Sequence, residues 1–183
     1  MNFYLPNFED LVDPDYNFIG DHYSPKRKVR GRFEHDWYAH QFFEEPIFDG
    51  MLLSRTVIRQ TVEKRILQAG GVHAFCRLPS IVPIMGDCGA LSYAKETTPP
   101  YSVTDTLNYY ESLGFSSGVA LDHLIFPSMT LSERERRFTL TLDNAREFLT
   151  LHYSNGYTFE PIGIIQGWDP YSRRAGAEQL VQM

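Results

Sequence analysis

From Asp49 onward, short apolar runs alternate with stretches of helical period. Gly50–Ser54 (GMLLS) reads as a buried strand, and a helix follows over about Thr56–Ala69. Val72–Arg77 and Ile81–Gly86 are further strand candidates, separated by Leu78-Pro79-Ser80. Ser102, with Asp105 three residues on, makes a Ser-x-x-Asp variant of the capping box and opens a helix that stops at Gly114. Gly118–Phe126 (GVALDHLIF) is the next strand. Ser132 and Glu135 then open a long helix to about Tyr153, with Phe138, Leu142, Ala145 and Leu149 on one side. Ile162–Gln166 is another strand, and Asp169-Pro170 starts a helix that runs through Leu180.

Strand and helix in alternation call for a parallel sheet with helices outside, here with about four or five strands. Asn155-Gly156 follows a helix and reads as its stop rather than as a hairpin turn. The pattern closes on a helix with no further strand, which leaves a doubly wound sheet or part of a (β/α) barrel as the two architectures. Residues 1–48 read differently. Pro6, Pro14, Pro25 and Pro46 interrupt them, and aromatics from Phe3 through Phe8, Trp37 and Phe43 are interleaved with polar residues. So many rings need a surface to pack on, so this segment is expected to drape over the main domain as an irregular extension. The domain reading is therefore 1–48 for the extension and 49–183 for the β/α part.

Composition narrows the function classes. Apolar residues make up 43 % and charged residues 22 % of the 183, a globular mix. No run approaches the roughly 18 apolar residues of a membrane span, and no charged-then-apolar leader starts at Met1. Cys76 and Cys88 make neither a disulfide framework nor a metal-ligand pair, so a reducing cytoplasm is the default compartment and no metal ligand is assigned. A net charge of −6 means that nucleic-acid binding would need a local basic patch. Lys26, Arg27, Lys28, Arg30 and Arg32 form the one candidate, with a solvated loop as the alternative.

In parallel β/α folds the reactive groups lie just past the carboxyl ends of the strands. Asp87, Asp122 and Gln166 fall at such ends. A carboxylate inside an apolar run is costly to bury unless paired, so each needs an explanation. Any one of them alone could be a structural hydrogen-bond partner; three at equivalent ends point to a site. His123, beside Asp122, should point away from it by alternation and reads as packed. Arg173 and Arg174, in the first turn of the last helix, suit either a phosphate or solvent.

Met85-Gly86-Asp87-Cys88-Gly89-Ala90, Val119-Ala120-Leu121-Asp122 and Gly163-Ile164-Ile165-Gln166-Gly167 together resemble, in order and spacing, three elements of the tRNA-guanine transglycosylases. The wording MGDCGALSY, PPYSVTDTLNYYESLGF, GVALDHLIF and the opening FYLPNFEDLVDP is more similar to the DpdA-type DNA-guanine transglycosylases. The resemblance implies a partial TIM-type (β/α) barrel that exchanges guanine in DNA or tRNA for a 7-deazaguanine such as 7-cyano-7-deazaguanine. It implies Asp87 as general acid/base, Asp122 as acceptor from guanine N1 and the exocyclic amine, Gln166 as donor to O6, and a backbone N–H near Gly167 as helper. Two positions depart from the family pattern. Ala90 and Leu91 replace a glycine and a stacking aromatic, leaving Tyr93 to supply the ring face. Cys88 replaces a serine and reads as a small core residue, since a neighbouring carboxylate suppresses its thiolate.

The resemblance further implies that the family's nucleophilic aspartate and its structural zinc site, Cys-x-Cys-x-x-Cys plus His, would lie beyond Met183, so no cofactor is expected in this chain. Asp143 and Asp169 read as a helix-face charge and an N-cap. Exchange would then require a complementary chain. The alternatives are a silent remnant or purine-binding module, and an unrelated α/β enzyme acting on another nucleoside or sugar. An incomplete barrel would also expose sheet edges, a route to self-association unless the aromatic extension covers them.

Overall fold

The structure is a computed structural model that describes residues 2–6 and 10–183. Phe8, one of the aromatics of the N-terminal segment, and Met1, where a leader was sought, lie outside the described residues. In chain order the elements are β1 (Tyr4–Pro6), β2 (Leu11–Val12), α1 (Pro25–Arg30), α2 (Arg32–His35), β3 (Trp37–Tyr38), β4 (Gly50–Ser54), α3 (Gln60–Ala69), α4 (Val72–Cys76), β5 (Ile84–Asp87), α5 (Val103–Leu113), β6 (Ser117–Val119), α6 (Leu131–Asn155), β7 (Glu160–Ile162) and α7 (Pro170–Val181).

Five strands form one parallel sheet in the order β1-β4-β5-β6-β7. The order follows the chain without reversal, so the sheet has no switch point and is wound in one direction, as in part of a TIM-type barrel rather than a doubly wound sheet. With one-handed crossovers all the helices fall on one face. Burial agrees. Met51, Leu53, Ile84 and Gly86 are buried toward the helices, while Leu52, Ser54, Met85 and Asp87, which alternate with them, are only half-buried on the inner face. The register places Ser54 beside Asp87 at the carboxyl rim.

A ring on α5 sets the distance between helices and sheet. Tyr110 lies flat over Gly86 and Gly118, cross-strand partners at which an added Cβ would stand 2.4 and 2.3 Å from the ring. Its hydroxyl donates to the Val119 carbonyl at 3.1 Å, so the buried phenol has a partner. Phe115, Phe148 and Phe159 meet its edges.

Several expected elements change. Val72–Arg77 is the short helix α4, not a strand: Val72 and Cys76, four apart, are its buried positions, a spacing that a five-residue apolar run cannot distinguish from a strand in advance. The helix expected from Thr56 begins at Gln60, because residues 54–58 fold into successive turns, with Val57 N–H donating to Ser54 O and Ile58 N–H to Arg55 O. The strand expected over Gly118–Phe126 keeps ladder geometry only through Val119. Thr130, not Ser132, caps α6, accepting from Glu133 N–H at 3.3 Å. The expected stops at Gly114 and Gly156 are present, each in the left-handed region at φ 73° and 69°.

The N-terminal segment is more ordered than its sequence suggests. Tyr4–Pro6 is an edge strand of the main sheet, so the boundary drawn at residue 49 cuts through a pairing of β1 with β4. The basic run is helical rather than a loop: Lys26, Arg27, Lys28 and Arg30 lie on α1, capped by Ser24, and Arg32 opens α2. It packs through a buried polar knot: Asp13 accepts from Ser24 N–H and pairs with His35, and both oxygens of Asp36 accept from Arg27 Nε. Arg77, at the end of α4, ties the segment to the sheet domain by donating to Asp36 O, Gln41 Oε1 and Phe33 O. The guanidinium of Arg65 on α3 lies over the Phe33 ring and Tyr38 packs on Phe75, so the extension covers α3 and α4. Among the described residues no helix is long and apolar enough to cross a membrane.

Candidate functional site

At the carboxyl rim the chain leaves β5 through a tight turn. Gly89 has φ +78°, and its N–H donates to Asp87 Oδ2 at 3.0 Å. A Cβ on Gly89 would stand 2.3 Å from Thr56 Oγ1 and 2.8 Å from Ser54 Oγ, so glycine is required both by conformation and by the close approach of the β4 loop. One oxygen of Asp87 is thereby committed to the turn.

Beyond Val119 the chain runs irregularly to Asp122, and side chains stand in for the lost ladder. Tyr93 donates to Asp122 O at 3.1 Å, Thr141 Oγ1 accepts from His123 N–H at 3.1 Å, and Arg137 donates to Leu124 O at 2.9 Å. His123 is fully buried and points into this packing, as alternation suggested.

Asp122 is 2 % exposed. Its Oδ1 accepts from the Cys88 thiol at 3.1 Å and its Oδ2 from Gln166 Nε2 at 2.5 Å. Burial pushes its carboxyl above the ordinary value of 3.8; the bonds from Cys88 and Gln166 work against that, and the charge of Asp87 adds to it. Gln166 reaches this position from the segment after β7, where Gly163 lets Leu180 of α7 close onto the backbone. Gly167, buried behind Gln166, is pressed beneath the first turn of α7.

The structure thus brings Asp87, Asp122 and Gln166 to one cleft of about 430 Å³, walled by Thr56, Val57, Leu91, Leu124 and Ile164. It does not bring Tyr93 to the wall. That ring is buried behind Cys88, edge-on to Tyr101 and His123, and its hydroxyl donates to Cys88 Sγ at 3.2 Å. Tyr93 therefore offers no stacking face to this cleft; it holds Cys88 and the Asp122 backbone and borders a neighbouring cleft instead. Leu91 and Val57 are the exposed apolar side chains that line the cleft. Of the basic run, Lys26 pairs with Asp15 and Arg27 with Asp36, leaving Lys28 and Arg30 exposed on α1, while Arg32 opens α2 beside Phe33. Asp143 pairs with Arg146 on the outer face of α6, and Asp169 caps α7, accepting from Ser172 N–H at 2.7 Å.

Cys88 is the residue whose place in this network its own surroundings in sequence did not reveal. Burial, then the Asp122 charge, pushes its thiol up to about 12, and burial alone does the same to Cys76. At pH 8 only about one thiol in ten thousand would then be ionised. Neither cysteine is expected to react with Ellman's reagent in the folded protein at pH 8, while both react once urea unfolds it. Rapid labelling without unfolding would contradict this placement of Cys88.

A carboxylate oxygen has more than one acceptor direction, and an amide nitrogen has two protons. Asp122 can therefore keep its bonds to Cys88 and Gln166 and still accept from two adjacent N–H groups, while Gln166 donates its second proton to a neighbouring carbonyl. The pair forms a continuous donor–acceptor edge. Asp87, at the end of the neighbouring strand, lines the same cleft and is a carboxylate able to exchange a proton with whatever the edge holds.

No family model matches the chain. It is 33 % identical to the DNA-guanine transglycosylase of Salmonella montevideo over an alignment of 201 residues, which takes in the whole of this chain and 47 % of that protein. The chain spans about half the length of the curated relative it matches.

Proposed function

We propose, for a chain that belongs to the tRNA-guanine transglycosylase superfamily, that it carries the guanine-recognising and proton-handling part of a base-exchange site acting on DNA. The observation that carries the reading is the contact of Gln166 Nε2 with Asp122 Oδ2 at 2.5 Å, both lining one cleft with Asp87. Guanine presents a carbonyl, a ring N–H and an exocyclic amine side by side. The Gln166 amide beside the Asp122 carboxylate is the complement of that edge. Adenine would place a donor against Gln166 and an acceptor against Asp122, leaving buried groups unpaired, which is the strong form of discrimination.

In this reading Asp87 protonates the departing guanine and takes the proton from the entering base, a 7-deazaguanine whose pairing edge is the same as guanine's. DNA as the strand follows from the name of the relative at 33 % identity. Covalent attack on the sugar needs a further carboxylate. Asp143, paired with Arg146, and Asp169, which caps α7, do not line this cleft.

Calorimetric titration of the 183-residue chain with guanine, 7-cyano-7-deazaguanine and adenine tests the proposal. The first two are expected to bind, with adenine weaker by about a hundredfold or more. Equal binding of adenine, or no binding of any of the three, would overturn it.

A further inference from the structure

A second cleft, about 560 Å³, opens on the same rim and shares Thr56 and Ser92 with the first. The two residues form the ridge between them, Ser92 Oγ donating to Thr56 Oγ1 at 2.9 Å. Beyond the ridge the walls are Thr97 and Thr98, Pro99 and Pro100, Tyr93 and Tyr101, and Glu96.

Although built from a long loop, this cleft is fixed from both sides by groups that also fix the first. Arg137, 4 % exposed, donates to Ala94 O at 2.8 Å and to His123 Nδ1 at 2.7 Å. With Nδ1 accepting, His123 Nε2 carries the proton and donates to Glu96 O at 2.9 Å. The loop wall is thus pinned to the strand end that bears Asp122. On the other side the guanidinium of Arg55 lies 3.7 Å from the centre of the Tyr101 ring and donates to Thr106 Oγ1, while Arg55 N–H donates to Asp87 O at 2.8 Å. The Tyr101 wall is pinned to the strand end that bears Asp87.

The lining chemistry selects a ligand class. It contains no lysine or arginine side chain and has one carboxylate, so it disfavours a phosphate. Neutral hydroxyls, an acceptor and flat rings suit a nucleobase, which needs a stacking surface and a few edge contacts. We infer that this cleft receives the base of a nucleotide next to the target guanine, and that it sets the sequence context in which the guanine is accepted. The inference rests on the guanine reading of the first cleft, because a base held there while still attached to its strand places its neighbour across the Thr56–Ser92 ridge.

The test uses the 183-residue chain and labelled short single-stranded DNA carrying one central guanine, read by fluorescence anisotropy alongside titration with free guanine. An abasic site on one side of the guanine is expected to weaken binding by about tenfold, and the same lesion on the other side by no more than about twofold. The Thr97→Val, Thr98→Val pair, exposed and close in shape, is expected to flatten the ranking of neighbouring bases and leave free guanine binding unchanged. If free guanine binds but both abasic oligonucleotides match the parent, if the variant keeps the parent's ranking, or if the oligonucleotide itself fails to bind, the second cleft is not a base subsite. If free guanine does not bind, the reading of the first cleft falls and takes this one with it.

Discussion

Asp122→Asn is expected to lose guanine affinity by about a hundredfold or more while the folded chain becomes no less stable. Two charge-assisted hydrogen bonds to the ring N–H and the exocyclic amine are removed, each worth about 1.5–3 kcal/mol. The amide also turns a donor toward one of them. Stability moves the other way because Asp122 is held against the cost of its own burial. A carboxyl raised above its unfolded value binds its proton more tightly in the folded state. Its stabilising influence is complete below about 3.8 and is lost as pH rises through the raised folded value, so at neutral pH the ionised group is a net burden. The asparagine variant should lack this pH dependence, measured as thermal midpoints from pH 3 to 8. Guanine affinity in the parent should rise with pH across the same interval and then level off, since only the carboxylate accepts from both donors. A variant that binds guanine as the parent does, or that unfolds outright at neutral pH, would show that Asp122 serves the fold rather than a ligand.

The largest expected effect on stability lies on the opposite face of the sheet. Tyr110→Ala should lose about 3–5 kcal/mol in urea unfolding, as truncation of a fully buried ring leaves a cavity between α5 and the two strand glycines. Gly118→Ala should lose about 1–3 kcal/mol through overpacking, because the new methyl would sit 2.3 Å from the ring. The two substitutions should not add. With the ring gone the methyl enters empty space, and its cost in the Tyr110→Ala background should fall toward zero. Additive losses would mean that the glycine is needed for strand geometry and not for the ring. The same packing has a bearing on the site: Gly86 immediately precedes Asp87, and Val119, which holds the Tyr110 hydroxyl, begins the run to Asp122.

Whatever depended on a few neighbouring residues could be read directly. The capping box of Ser102 with Asp105, the glycine stops at Gly114 and Gly156, and the Asp169-Pro170 start are each settled within a turn of chain. Asp87 closes β5 as expected, whereas the strands expected over Gly118–Phe126 and Ile162–Gln166 end at Val119 and Ile162, so Asp122 and Gln166 reach the rim from irregular chain beyond them. Where two similar local patterns competed, the reading slipped: Thr130 with Glu133 caps α6 two residues before Ser132 with Glu135. Val72–Cys76 is too short for its period to separate helix from strand.

By itself, then, the amino-acid order determined most of the succession of strands and helices after residue 49, the caps at Ser102 and Asp169, and which polar groups stand at the carboxyl rim, because hydrophobic period and capping are local properties. Only the folded chain decided that Tyr4–Pro6 joins the sheet, that Tyr93 turns inward to Cys88, and that Gln166 and Asp122, 44 residues apart, share a hydrogen bond. Those outcomes depend on which distant surfaces meet, and a buried carboxylate or phenol takes whichever partner that meeting supplies, since leaving it without one is the costlier state.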